Sequence, residues 1–203
     1  MRGEKMLICI TNRLLCRDNF LERLDRIASY RPYAIILREK DLPQDKYEAL
    51  AKECLRICER YGTPVNLNAG EKTIEAAGNI GCKGIHLSFE SFMRHKNELG
   101  SFERVGVSLH SKEEAVLLRG MPLTYVQAGH IFATDCKAGL PPRGLDFLRQ
   151  VCKAADVPVF GVGGITKSRY EAVLETGAAG ACVMSQLMTC PDVGAVMEEF
   201  GIL

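Results

Sequence analysis

The residues best suited to acid–base chemistry lie in one polar segment in the second half of the chain, Tyr125–Gly144. This segment continues an apolar run, Leu123–Gln127, that is typical of a buried strand, and it holds His130 directly after Gly129. Long polar loops after buried strands usually carry function, and imidazole titrates near neutral pH. We therefore predict that His130 moves a proton between two atoms of a substrate. The alternative is a histidine bonded only to neighbouring backbone.

A second segment, V-F-G-V-G-G-I-T at Val159–Thr166, places two adjacent glycines after another apolar run. Glycine lets the backbone N–H groups come close to an anion, and the last two loops of parallel barrels commonly bind phosphate. We predict that Gly163 and Gly164 bind phosphate together with Met184 and Ser185, which follow the last strand. A tight turn that requires a positive φ is the alternative explanation of the glycine pair.

Both segments belong to a repeating pattern of an apolar strand followed by a helix. The predicted strands are Met6–Ile10, Tyr33–Leu37, Pro64–Asn68, Gly84–Leu87, Arg104–Leu109, Leu123–Gln127, Val157–Val162 and Ala179–Met184. Their continuous apolar character is expected when both faces of a sheet are buried. Eight such units in 203 residues predict an α/β fold, a single-domain (β/α)8 TIM barrel that occupies residues 1–203. An open doubly wound sheet is the alternative.

Several helix boundaries are marked by capping residues. Pro43 opens a long helix, Ser111 and Glu114 match a capping box, and Thr166 precedes a helix that ends at Gly177. The last helix is predicted over Pro191–Phe200. These boundaries leave a polar residue or a loop at the carboxyl end of each predicted strand.

The carboxyl ends of the strands form the functional face of such a barrel. The predicted substrate-binding residues at these ends are Arg38, Lys40, Asn68, Ser108, Thr134 and Lys137. His86 lies within the strand G-I-H-L and is expected to serve packing. For His110, a ligand contact and a role at the start of the next helix both remain open.

Composition excludes several classes of function. A formal net charge of +1 offers no basic surface for nucleic acid or an anionic membrane, and the apolar runs are too short to span a bilayer. The amino terminus does not resemble a signal peptide, so a cytoplasmic location is expected. The nine cysteines lie mostly in periodic segments and are predicted to be reduced thiols rather than disulfides or metal ligands. Cys136 lacks an adjacent base and is not favoured as a nucleophile.

These motifs together resemble the thiamin phosphate synthase/TenI family of barrels over nearly the whole chain. The resemblance lies in L-R-E-K-D at Leu37–Asp41, G-I-H-L at Gly84–Leu87, G-V-S-L-H-S at Gly106–Ser111, G-H-I-F-A-T-D-C-K-A-G at Gly129–Gly139, V-G-G-I-T at Val162–Thr166 and V-M-S at Val183–Ser185. The family has two branches, a magnesium-dependent synthase and a TenI-like thiazole tautomerase.

Departures from the synthase pattern favour the tautomerase branch. Where the synthase has Asn-Asp-Arg after strand three, this chain has Asn68-Ala69-Gly70, and its G-Q-E-D run is replaced by Ser88-Phe89-Glu90-Ser91. Both aspartates that would bind magnesium are therefore replaced, and only Glu90 remains nearby to substitute for them. A synthase glutamine is replaced by Ile36, and His130 stands where the synthase has proline.

The resemblance implies that the enzyme isomerises a dihydrothiazole carboxylate phosphate to the aromatic carboxythiazole phosphate, with His130 as the acid–base. Gly163, Gly164, Met184 and Ser185 would hold the phosphate, and Lys137 or Arg38 the carboxylate. No metal or organic cofactor is implied; the partner is a small thiazole phosphate, and a homodimer is compatible with the family. The alternatives are thiamin phosphate synthase activity and a non-catalytic thiazole phosphate-binding regulator.

Overall fold

In the computed structural model, eight parallel strands close into a barrel in which the order of neighbours follows the chain. The structure describes residues 5–68, 71–134, 137 and 139–202, with only the backbone at 71–73. The strands are β1 (Met6–Ile10), β2 (Ala34–Leu37), β3 (Val65–Asn68), β4 (Gly84–Ser88), β5 (Arg104–Leu109), β6 (Tyr125–Gly129), β7 (Val159–Val162) and β8 (Gly180–Val183). The predicted TIM barrel is confirmed. It closes where β1 pairs with β8, with Ile8 opposite Cys182.

Helices follow the strands and cover the outside of the barrel. They are α1 (Phe20–Ser29), α2 (Gln44–Glu59), α3 (Glu71–Asn79), α4 (Phe89–His95), α5 (Lys112–Leu117), α6 (Gly144–Ala154), α7 (Lys167–Leu174), α8 (Ser185–Thr189) and α9 (Val193–Glu199). Short 3-10 turns lie at Arg13–Leu15 and Lys96–Glu98. No helix within the described ranges combines the length and apolarity needed to cross a membrane.

The capping signals are confirmed in part. Ser111 Oγ accepts a hydrogen bond from Glu114 N at 3.0 Å, as a capping box requires. The Glu114 carboxylate, however, accepts from the N–H of His110 rather than from Ser111. Thr166 precedes α7 but makes no capping bond with its side chain. Its hydroxyl instead lies 3.0 Å from that of Ser168.

Two sequence predictions require correction. The sixth strand was expected over Leu123–Gln127 but runs two residues later, because Thr124 still belongs to the turn and donates its N–H to Val105 O at 2.9 Å. The terminal helix was expected over Pro191–Phe200. Instead Asp192 caps α9, accepting from Ala195 N at 3.2 Å, and the separate α8 precedes it.

Alternating strand residues divide the core into two parts. Outward-facing residues such as Leu7 and Cys9 pack against the helices in one large cluster. Inward-facing residues fill the barrel, where Ile8, Ile36 and Phe160 form a second apolar cluster. Each large side chain buried in this way stabilises the fold by about 1.5–3 kcal/mol. The carboxyl ends of the strands are left to line a cavity.

Candidate active site

An open cavity of about 1000 Å³ lies at the carboxyl ends of the strands. Every residue predicted from the sequence to act in a site lines it: His130, Gly163, Gly164, Met184, Ser185, Arg38, Lys40, Asn68, Ser108, Thr134 and Lys137. The cavity also receives His86, His110 and Gln127. The fold therefore brings the predicted residues together, while the role of each remains a prediction.

The loop that carries His130 is fixed to the neighbouring strand and to the start of α6. Ile131 N donates to Val162 O at 2.8 Å, and Arg143 N donates to His130 O at 2.9 Å. The imidazole Nε2 lies 3.3 Å from the carbonyl oxygen of Leu140 and so donates to it. In neutral imidazole this arrangement leaves Nδ1 with a lone pair that can accept a proton. His130 is thus held by neighbouring backbone, as the alternative expected, and also presented to the cavity.

The Gly163–Gly164 turn requires glycine for two reasons. Both residues have positive φ, +95° and +63°. A Cβ on Gly163 would lie 2.4 Å from the Cβ of His130, and one on Gly164 would lie 2.4 Å from Ala133 O. The tight-turn explanation therefore holds. It is compatible with phosphate binding, since the same bare backbone faces the cavity next to Met184 and Ser185.

Three basic residues form a cationic cluster at the cavity, defined by Arg38, Lys40 and Lys137. Desolvation lowers the pKa of Lys40 from its ordinary value, and the positive charges of Arg38 and Lys137 lower it further. Like charges gathered in this way favour an anionic ligand, because its binding relieves their mutual repulsion.

A buried carboxylate beside this cluster was not predicted. Glu39 is 3% exposed, and it accepts hydrogen bonds from the Thr11 hydroxyl at 2.6 Å and from Arg13 N at 3.0 Å. The Arg13 guanidinium also forms a two-pronged ion pair with Asp41, at 2.8 and 2.6 Å. These contacts connect the loops after β1 and β2 and so position Arg38 and Lys40. A single acid between two bases in L-R-E-K-D was the available signal.

His86 is buried, as expected of a packing residue, but both of its ring nitrogens are hydrogen-bonded. Nδ1 lies 2.9 Å from the Tyr125 hydroxyl and Nε2 lies 2.7 Å from Ser108 Oγ. Burial lowers the pKa of His86 to about 4, and its hydrogen bond with Gln127 opposes the shift. His86 is therefore neutral at physiological pH. Its polar partners Gln127 and Asn66 were missed, because each lies inside a short, otherwise apolar run.

His110 is an exposed residue at the cavity. Its Nδ1 donates to Gly129 O at 3.1 Å, which leaves Nε2 with the lone pair. Because Gly129 immediately precedes His130, this bond also steadies the catalytic candidate. The two possibilities left open by the sequence are thus both compatible with the structure.

Within the described ranges, no group of three or more histidine, cysteine, aspartate or glutamate residues converges as a metal site. Glu90, which could substitute for the missing carboxylates, is exposed in the first turn of α4 and is not among the residues lining the cavity. The cysteines in the described part of the chain are free thiols. Burial raises the pKa of Cys58 to about 12. Ala69, Gly70, Asp135 and Cys136 lie outside the described residues.

Comparison with known proteins gives one consistent family. The family model TMP-TENI, thiamine monophosphate synthase, matches residues 7–187. The chain is 32% identical over 163 residues to a thiamine-phosphate synthase of Roseiflexus castenholzii, covering 78% of this chain and 70% of that protein. It is 34% identical over 165 residues to the thiamine biosynthesis bifunctional protein ThiM/ThiE of Symbiobacterium thermophilum. That match covers 79% of this chain but only 34% of the bifunctional protein.

A solved structure has the same architecture. The thiamine phosphate pyrophosphorylase from Pyrococcus furiosus superposes with a TM-score of 0.82 at 26% identity, covering 96% of this chain and 93% of the other.

Proposed function

The chain belongs to the thiamine monophosphate synthase family, and from this membership we propose that it is a thiazole tautomerase of thiamine biosynthesis. The substrate is the dihydrothiazole carboxylate phosphate, and the product is the aromatic carboxythiazole phosphate. The single observation that carries the proposal is the position of His130, which lines the cavity in contact with the Gly163 turn. A base held beside a phosphate-binding turn suits a reaction that moves a proton within a phosphorylated ring compound.

The reaction requires one proton to leave a carbon atom and one to arrive at another, with no net change in composition. His130 Nδ1 accepts the first proton, and the electron pair of the broken C–H bond moves into the ring system. The imidazolium then delivers a proton to the second carbon. Donation from Nε2 to Leu140 O keeps the ring oriented in both protonation states. Gain of aromaticity drives the equilibrium, so the enzyme has only to lower the proton-transfer barrier.

Binding follows from the distribution of charge around the cavity. The backbone at Gly163, Gly164, Met184 and Ser185 holds the phosphate at the loops after β7 and β8. The cationic cluster lies at the loops after β2 and β6 and receives the carboxylate, for which Arg38 offers a two-pronged contact. Asn68, Ser108 and Thr134 supply neutral polar contacts between these two ends.

A second hypothesis is thiamin phosphate synthase activity, which joins a pyrimidine pyrophosphate to thiazole phosphate. The names of the relatives reported above favour it over the tautomerase. The cationic cluster suits a pyrophosphate as well as a carboxylate. Against it stand the exposed position of Glu90 outside the cavity lining and the replacement of the family's magnesium-binding aspartates.

A proton NMR time course separates the two hypotheses. Purified protein is added to the dihydrothiazole carboxylate phosphate without magnesium, and the aromatic ring signals are followed against a protein-free sample. Accelerated aromatisation is expected. An unaccelerated reaction combined with magnesium-dependent release of pyrophosphate in the coupling assay would establish the synthase instead. Product binding without either reaction would identify a non-catalytic binding protein.

A further inference from the structure

A continuous line of hydrogen bonds runs through the interior of the barrel to the floor of the cavity. Asn66 Nδ2 lies 2.8 Å from the Tyr125 hydroxyl, which lies 2.9 Å from His86 Nδ1. His86 Nε2 lies 2.7 Å from Ser108 Oγ, which lies 3.1 Å from Gln127 Oε1. We call these five residues the interior relay. It starts on β3 and ends on β6.

The donor at each step is determined by the step before it. The Tyr125 oxygen accepts from the Asn66 amide, so its single proton is donated to His86 Nδ1. Neutral His86 then carries its proton on Nε2 and donates to Ser108. The Ser108 hydroxyl in turn donates to Gln127 Oε1. The relay therefore occupies the carbonyl oxygen of Gln127 and leaves its Nε2 amide group to face a ligand.

The barrel is shaped to accommodate the relay. A Cβ on Gly84 would lie 2.1 Å from Asn66 Oδ1, and a Cβ on Gly106 would lie 2.1 Å from Tyr125 Cζ. Asn66, His86 and Tyr125 are 0–2% exposed. Burying polar groups costs free energy even when they are hydrogen-bonded, and apolar residues of similar shape would stabilise the barrel at least as well. Stability alone thus gives no reason for a relay that opens onto the cavity.

We propose that Gln127 is a specificity-determining residue whose Nε2 donates a hydrogen bond to the unphosphorylated part of the ligand, at a ring nitrogen or carboxylate oxygen. Asn66, Tyr125 and His86 are positioning residues that fix the orientation of its amide. This inference rests on the proposed function for the identity of the ligand. Gln127 is 6% exposed and lines the cavity, so the donor is nearly desolvated before the ligand arrives. A missing acceptor would leave it unpaired, which is how a buried donor discriminates between ligands.

The test compares two ligands and three variants. Gln127→Leu removes the donor, Tyr125→Phe breaks the relay away from the cavity, and Tyr33→Phe is the control. Tyr33 packs against Phe160 with ring centroids 4.8 Å apart, and its hydroxyl lies outside the relay. Dissociation constants for carboxythiazole phosphate and for inorganic phosphate are measured by calorimetry, together with KM and kcat. The 15N shifts of the His86 ring report its tautomer.

We expect Gln127→Leu to weaken carboxythiazole phosphate binding and raise KM about three- to tenfold, the value of one hydrogen bond, with inorganic phosphate binding unchanged. Tyr125→Phe should do the same to a smaller extent and convert the Nε2–H tautomer of His86 into a mixture. Tyr33→Phe should change neither. Unchanged binding in Gln127→Leu, equal weakening of both ligands, or a wild-type Nδ1–H tautomer would overturn the inference. A wild-type protein without tautomerase turnover that still shows the ligand-dependent split would remove the proposed function and leave this inference standing.

Discussion

The backbone of Gly163 packs directly against His130, so closely that a Cβ on the glycine would lie 2.4 Å from the Cβ of the histidine. Backbone hydrogen bonds hold the two segments together, with Phe132 N donating to Gly163 O at 3.0 Å. The proposed phosphate seat and the proposed base therefore form one mechanical unit. A substrate anchored at the glycine turn would reach the imidazole at a fixed distance.

Replacing the proposed base should separate catalysis from binding. His130→Asn is expected to lower kcat about 10²- to 10⁴-fold, the usual contribution of a positioned acid–base. The dissociation constant for carboxythiazole phosphate should change little, because the phosphate seat is backbone. NMR turnover and calorimetry measure the two quantities. His95→Asn, on α4 outside the cavity lining, is the control, and equal turnover in the two variants would rule out His130 as the catalyst.

A methyl group at the glycine turn should disturb both functions together. Gly163→Ala forces a side chain into a positive φ of +95° and against His130, so we expect a loss of about 1–3 kcal/mol in the free energy of unfolding. Phosphate binding and turnover should fall in parallel. Gly78→Ala is the matched control, because a Cβ there meets nothing within 4 Å, and it should be neutral or up to about 1 kcal/mol stabilising. Urea unfolding compares the two, and full activity in Gly163→Ala would contradict the coupling.

The cationic cluster should make anion binding depend on pH in the alkaline range. Desolvation, followed by the charges of Arg38 and Lys137, lowers the pKa of Lys40. Its contribution to binding is complete below that pKa and is lost as the pH rises through it. Carboxythiazole phosphate affinity should therefore start to fall at a lower pH than for an ordinary lysine. Calorimetry across pH should show this decline in the wild type and a much weaker one in Lys40→Arg; identical profiles would exclude Lys40.

Removing divalent cations should leave tautomerase turnover unchanged. A hard cation needs several oxygen ligands, and Asn68 and Ser88 line the cavity near where the synthase branch places its aspartates. The measurement is turnover with EDTA and with added magnesium. Strong inhibition by EDTA, restored by magnesium, would contradict this prediction and favour the synthase hypothesis.

The sequence was sufficient to predict the barrel because eight apolar runs separated by helical periodicity allow few other folds. It also located the site, because the carboxyl ends of parallel strands must converge. It did not reveal how the site is braced. Glu39, Asn66 and Gln127 act through partners far away in the chain, such as Arg13 or Tyr125, and local pattern carries no information about such contacts. The two-residue error at β6 has the same origin, since pairing with β5 decides where that strand begins.

The pairing of β1 with β8 also bears on how the protein is made. Ile8 and Cys182 lie side by side in the finished sheet, yet nearly the whole chain separates them. During synthesis on the ribosome, the first strand must wait with one edge unpaired until the last strand emerges. Contacts between such distant residues slow folding and leave partly made sheets prone to aggregate. Yield of this protein in a host cell is therefore expected to improve when translation is slowed by growth at low temperature or when chaperones are co-produced.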